Sequence, residues 1–174
     1  MKISLVRFFG PAALALAAAF VLPGAARAQS VSEFSFGGGI MDYDLSGVGQ
    51  TLTLNARAVA PLSRTFVLEP GILWAKPDLQ GGGEATLLIP EVQLQARLPL
   101  GAVTPYLGAG VGAALAFVDD DRGDNHEIAF SGGAGVRIDA GGLLGFVVDG
   151  RIHGFGTDFS SSTAELTLGL RISR

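Results

Sequence analysis

The chain has 174 residues, no cysteine, 26 glycines and 16% charged residues, with a mean hydropathy of +0.43. An apolar, weakly charged composition excludes a disordered or solvating chain, and the lack of cysteine excludes disulfide scaffolds, zinc ribbons and thiol catalysis. Twelve basic against sixteen acidic residues give a net charge of −4, which excludes the basic footprint of a nucleic-acid binder.

Residues 1–28 read as an export signal. Lys2 and Arg7 form a positive start, residues 11–22 a short apolar core, and Pro23 and Gly24 a break. Ala26-Arg27-Ala28 then supplies a small-x-small cleavage site. The apolar core is shorter than the roughly 20 residues that a membrane-spanning helix needs. The predicted mature chain begins at Gln29, forms one domain over residues 29–174, and keeps nine basic against sixteen acidic residues.

From Gln29 onward the hydrophobic period is two, through eight segments separated by turn chemistry. Segment one (31–43) follows this rule less cleanly, as do segments three, five and seven. Segment two (51–60) sets Thr51, Thr53, Asn55 and Arg57 against Leu52, Leu54, Ala56 and Ala58. Segment three (65–75) follows the same rule. Segment four (86–98) sets Glu91, Gln93, Gln95 and Arg97 against Leu88, Val92, Leu94, Ala96 and Leu98. Segment five (103–117) leads into segment six (127–138), where Glu127, Ser131, Gly133, Gly135 and Arg137 oppose Ile128, Phe130, Ala134, Val136 and Ile138. Segment seven (143–155) precedes segment eight (163–173), where Glu165, Thr167, Gly169 and Arg171 oppose Leu166, Leu168, Leu170 and Ile172.

The connections alternate too. Leu62-Ser63-Arg64, Leu100-Gly101-Ala102 and Ala140-Gly141-Gly142 are tight, whereas 76–84 and 119–126 are longer and polar. Short turns at one end and longer loops at the other describe an all-β, eight-stranded antiparallel up-and-down meander. Each segment has room for the 9–11 residues of a tilted membrane-spanning strand.

Alternation alone does not say which face points inward, but two features place the polar face inside. Gly37, Gly39, Gly108, Gly110, Gly112, Gly133, Gly135 and Gly169 all lie on it. An eight-stranded barrel has an interior barely wider than its side chains, so glycine belongs there. On the apolar face, Phe34, Phe66 and Phe146 sit toward the short turns, with Trp74, Phe117 and Phe130 toward the loops. Two aromatic girdles are what the two interfaces of a bilayer select. Residues 98–118 lack charge for the length of a membrane helix, but Pro99, Gly101, Pro105, Gly108, Gly110 and Gly112 favour a strand. Pro70 and Pro90 lack the N–H that a closed barrel uses everywhere; folding the third hairpin brings them nearly opposite, where one bulge is expected to absorb both.

The run Thr104-Pro105-Tyr106-Leu107-Gly108-Ala109-Gly110-Val111-Gly112 resembles the fifth strand of small outer-membrane β-barrel proteins. That family includes the membrane domain of outer-membrane protein A and the opacity-type "porin family" barrels. Gly133-Ala134-Gly135-Val136-Arg137 is similar to their sixth strand, and Val148-Asp149-Gly150-Arg151-Ile152 to their seventh. The resemblance implies a transmembrane barrel in a Gram-negative outer membrane, with short turns and termini periplasmic and longer loops extracellular. Its implied partners are outer-membrane lipid, lipopolysaccharide and the barrel-assembly machinery. The family often has tyrosine near the position of Gly150 and an aromatic residue at the end of the last strand, where this chain has Arg174.

The charges of the polar face are Glu33, Glu69, Glu91, Asp149 and Glu165 against Arg57, Arg97, Arg137, Arg151 and Arg171. Five acids facing five arginines in a narrow lumen imply ion pairs, because an unpaired buried charge costs several kcal/mol, about 3–5 where a partner is lost. The expected function is therefore a non-catalytic barrel contributing to envelope structure or surface properties. The alternatives are a loop-borne adhesin, a narrow channel, a lipid A-modifying enzyme and a soluble periplasmic ligand-binding barrel. The deacylase kind of barrel enzyme uses a His-x-Ser-Asn motif, and His153 is followed by Gly154-Phe155 instead. Segment 119–126 fails the spacing of a calcium loop, and Arg122-Gly123-Asp124 is only a tripeptide match to an integrin motif. No cofactor, metal site or catalytic residue is assigned.

Overall fold

A computed structural model describes residues 31–45, 48–78, 83, 85–118, 125–157, 159 and 161–173. The predicted export signal, 1–28, and the acidic segment 119–124 lie outside the described residues.

Period-two patterning and glycine-bearing turns produce eight strands: β1 (Glu33–Asp44), β2 (Val48–Pro61), β3 (Phe66–Ala75), β4 (Ala85–Arg97), β5 (Val103–Val118), β6 (Asn125–Asp139), β7 (Leu144–Phe155) and β8 (Ser161–Ser173). They close in sequence order into an antiparallel barrel. The seam between β1 and β8 pairs every residue from Glu33 with Ser173 to Asp44 with Ser162, so neither strand is left as an edge. At the β6–β7 turn, Gly141 and Gly142 both take positive φ, 96° and 64°, which only glycine adopts at no steric cost. The charge-free run at 98–118 is strand from Val103 onward, with glycines alternating inward.

The two faces of the wall have opposite chemistry. Outward lie large apolar side chains such as Leu52, Leu107, Ile152 and Leu168, each more than 60% exposed. An uninterrupted apolar exterior of this kind marks contact with lipid. Phe34, Phe66 and Phe146, together with Trp74, Phe117 and Phe130, all point outward on this face. The outer-face charges within the described strands are Asp42 and Asp44, both at the loop end of β1. The apolar face therefore cannot be the lining of a soluble ligand-binding barrel.

The bulge expected at Pro70 and Pro90 is not formed. The β3–β4 ladder runs unbroken from Phe66 with Ala96 to Ala75 with Leu87, placing Pro70 opposite Val92 and Ile72 opposite Pro90. The interruptions fall on the outer flanks of this hairpin instead. The β2–β3 ladder skips Ala58 and Val59, and the β4–β5 ladder skips Ile89 and Pro90, with register unchanged on either side. Alternate residues of a strand hydrogen-bond to alternate neighbours. Each proline turns its missing donor toward a different strand, and a local gap suffices.

Candidate functional site: a lumen in two layers

Strand parity sends the charged residues inward, and barrel closure decides which of them meet. Glu33 comes from β1, Arg57 from β2, Glu69 from β3, Glu91 and Arg97 from β4, Arg137 from β6, Asp149 and Arg151 from β7, and Glu165 and Arg171 from β8. All ten sequence-assigned side chains project into the lumen, where eight are buried and Arg97 and Arg171 are partly so.

They form one connected network centred on Arg151. Its Nη2 donates to Glu69 Oε1 at 3.1 Å, and its Nε lies 3.3 Å from Asp149 Oδ1 and 4.0 Å from Glu165 Oε1. Its Nη1 pairs with Glu91. Arg57 spans Asp149 Oδ1 at 2.8 Å and Glu165 Oε1 at 3.1 Å. Arg137 pairs with Glu33 and Glu69, and Arg171 donates to Glu33 Oε2 at 2.6 Å while also pairing with Asp139 at the short-turn rim. Arg97 is the loosest member, 3.7 Å from Glu69 and 3.9 Å from Glu33, with Nη2 donating to Gln95 Oε1 at 3.0 Å. The planar guanidinium explains the choice of arginine, because each fork serves two carboxylates at once.

Three further side chains join the ten that the charge pattern assigns. Tyr106 of β5 donates its hydroxyl to Asp149 Oδ2 at 2.5 Å, and its ring lies 5.3 Å from the Arg137 guanidinium carbon. With Tyr106, all eight strands contribute to the network. Asp139 was legible by parity, two residues beyond Arg137, but sits where the strand was expected to end. His153, placed in the lumen by parity, lies with Nε2 3.3 Å from Glu91 Oε2 and Nδ1 3.3 Å from Thr163 Oγ1.

Hydroxyl, imidazole and carboxylate thus stand in the order that activates a nucleophile. A nucleophile must also meet its substrate, and His153, Thr163 and Glu91 are all buried inside the barrel, His153 at 0% exposure. The ring of His153 stacks on Phe155 at a 6.3 Å centroid separation.

The second layer was not read from the sequence. On the loop side of the network, inward positions turn apolar: Met41 and Tyr43 on β1, Leu73 and Ala75 on β3, Leu87 and Ile89 on β4, Ala114 on β5, Ala129 on β6 and Phe155 on β7 form one buried cluster. The signal was present, since Met41 and Tyr43 share the parity of Glu33. It was hidden because an apolar residue on a face called polar breaks no local rule. The lumen therefore has a charged lower layer and an upper layer with an apolar cluster.

Residues 12–171 match the family described as "Outer membrane protein beta-barrel domain", and the chain belongs to that family. No curated protein matches the sequence. Among solved structures the chain is similar to Neisserial surface protein A (NspA), with a TM-score of 0.69 at 16% identity, over 82% of this chain and 96% of that one. It is also similar to OprG from Pseudomonas aeruginosa, with a TM-score of 0.52 at 12% identity over 83% and 97% of the two chains. The outer membrane enzyme PagL gives a TM-score of 0.52 at 15% identity over 82% and 100%. At these identities the likeness is one of fold.

Proposed function

We propose that this member of the outer-membrane barrel family is a closed, non-catalytic protein that contributes to envelope structure and surface properties, with its longer loops facing outside the cell. The observation that carries this reading is the two-layer lumen. A network drawn from all eight strands fills the lower part, and an apolar cluster fills the space between it and the loops. An eight-stranded wall encloses little more than its own side chains, so neither layer has to be large to block passage. The lumen trio at His153 has no route to lipid, which supports a role without catalysis.

The test is single-channel recording of the refolded protein in planar bilayers. A flat current at applied voltages that open porin-type channels is the expected result. Stepwise unitary conductance would overturn the closed-lumen reading and turn attention to the arginines as a selectivity lining.

A further inference from the structure

Above the apolar layer the barrel opens into a cup of about 240 Å³ on the loop side. Its floor is made of Leu87, Ala114 and Phe155, all three members of the buried apolar cluster. Its rim is different in kind. The charged side chains among the described lining residues are Asp78 and Glu127, both acidic. Asn125 Nδ2 donates to Glu127 Oε1 at 3.0 Å, which holds that carboxylate beside the opening.

Size and charge together select a ligand class. An apolar cavity of about 150 Å³ is enough to take up benzene, and drug-sized ligands occupy pockets of about 300 Å³ and more. The cup therefore suits one short chain or one ring. A depression lined by one sign of charge concentrates ions of the opposite sign. We propose that the cup binds a small amphiphile with a single apolar chain and a cationic head, the chain on Leu87, Ala114 and Phe155 and the head at the acidic rim. The charge network beneath closes the way through, so the site is a dead end that captures its ligand without passing it on.

The experiment uses the barrel in zwitterionic lipid nanodiscs, with methyl-labelled alanine and leucine followed by NMR. The probes are n-octylammonium, 1-octanol and octanoate, which share a chain length and differ in the head. The expected result is a saturable shift of the Leu87, Ala114 and Ala116 methyls with octylammonium, at least fivefold tighter than with octanoate. Asp78→Asn combined with Glu127→Gln should abolish that preference while leaving the octanol response in place. Ala114→Phe should fill the cup and remove saturable binding while the unboiled protein still migrates as a folded barrel. Ala116→Leu serves the same purpose if Ala114→Phe does not fold. Absence of saturable shifts, or equal shifts in the filled variant, would overturn the site as mere partition into lipid. Equal affinity for all three probes would overturn the cationic class.

Discussion

Arg151 lies within ion-pair distance of four carboxylates, Glu69, Glu91, Asp149 and Glu165, drawn from β3, β4, β7 and β8. Truncating it leaves these buried groups with fewer partners, and breaking a buried pair costs about 3–5 kcal/mol. Arg151→Met is therefore expected to lower the unfolding free energy by that order, read from urea titration of the barrel in lipid vesicles. Adding Glu91→Gln should recover part of the loss, since it neutralises one of the abandoned carboxylates. A double variant as costly as the sum of its singles would show that the two side chains do not act together. Glycine offers a second contrast at this scale. A Cβ on the inward Gly135 would stand 2.5 Å from both the Tyr106 hydroxyl and the Val148 carbonyl, whereas one on the outward Gly132 would meet nothing within 4 Å. Gly135→Ala is expected to cost about 1–3 kcal/mol through overpacking. Gly132→Ala should be neutral or stabilise by about 0.4–1 kcal/mol by restricting the unfolded chain. Equal effects in the same urea titration would show that the lumen has room to spare at Tyr106.

The β3–β4 hairpin shows how an element accommodates residues that its neighbours cannot pair with. Pro70 withholds its N–H from β2 and Pro90 withholds its own from β5, while the ladder between them stays continuous. Each proline faces outward on the apolar surface, so its ring costs nothing in packing. Inside a bilayer an unpaired backbone group costs several kcal/mol, and proline recovers only about 0.4–1 kcal/mol by stiffening the unfolded chain. Pro90→Val is thus expected to stabilise the barrel by about 1 kcal/mol through one restored ladder bond. Amide exchange on β5 opposite position 90 should slow in parallel; faster exchange there would mean the valine disturbs the register. The same hairpin marks where sequence reading reaches its limit. That β3 and β4 are strands, and that Glu69 and Glu91 share one polar face, follows from alternation alone, and the glycines of that face turn it inward. The handling of the two prolines does not, because it depends on which neighbour each N–H faces, a property of the closed sheet. The pairing of arginines with carboxylates fails to show in the sequence for the same reason: Arg57 meets Asp149 across 92 positions, a choice made by barrel stagger.

At the scale of the whole molecule, the barrel reverses the usual arrangement, with apolar side chains outside and ionised ones at its centre. Such a centre is stable only if its charges are paired, because each has lost its hydration. Salt screens exposed pairs strongly, with a Debye length of about 3 Å at 1 M, but buried pairs much less. The stability difference between the native chain and Arg151→Met should therefore change by less than about 1 kcal/mol between 0.1 M and 1 M sodium chloride. Measuring the difference removes the general effect of salt on lipid and on the unfolded chain, which both proteins share. A difference that collapses at high salt would mean that solution reaches Arg151 past Glu33, Arg97 and Arg171 at the short-turn end, where the network is least buried. The apolar layer at Met41, Leu87 and Phe155 stands on the opposite side. If the charged layer were reached from below, that apolar layer would be what separates it from the loops, with the Phe155 ring, stacked on His153, at the boundary between the two layers.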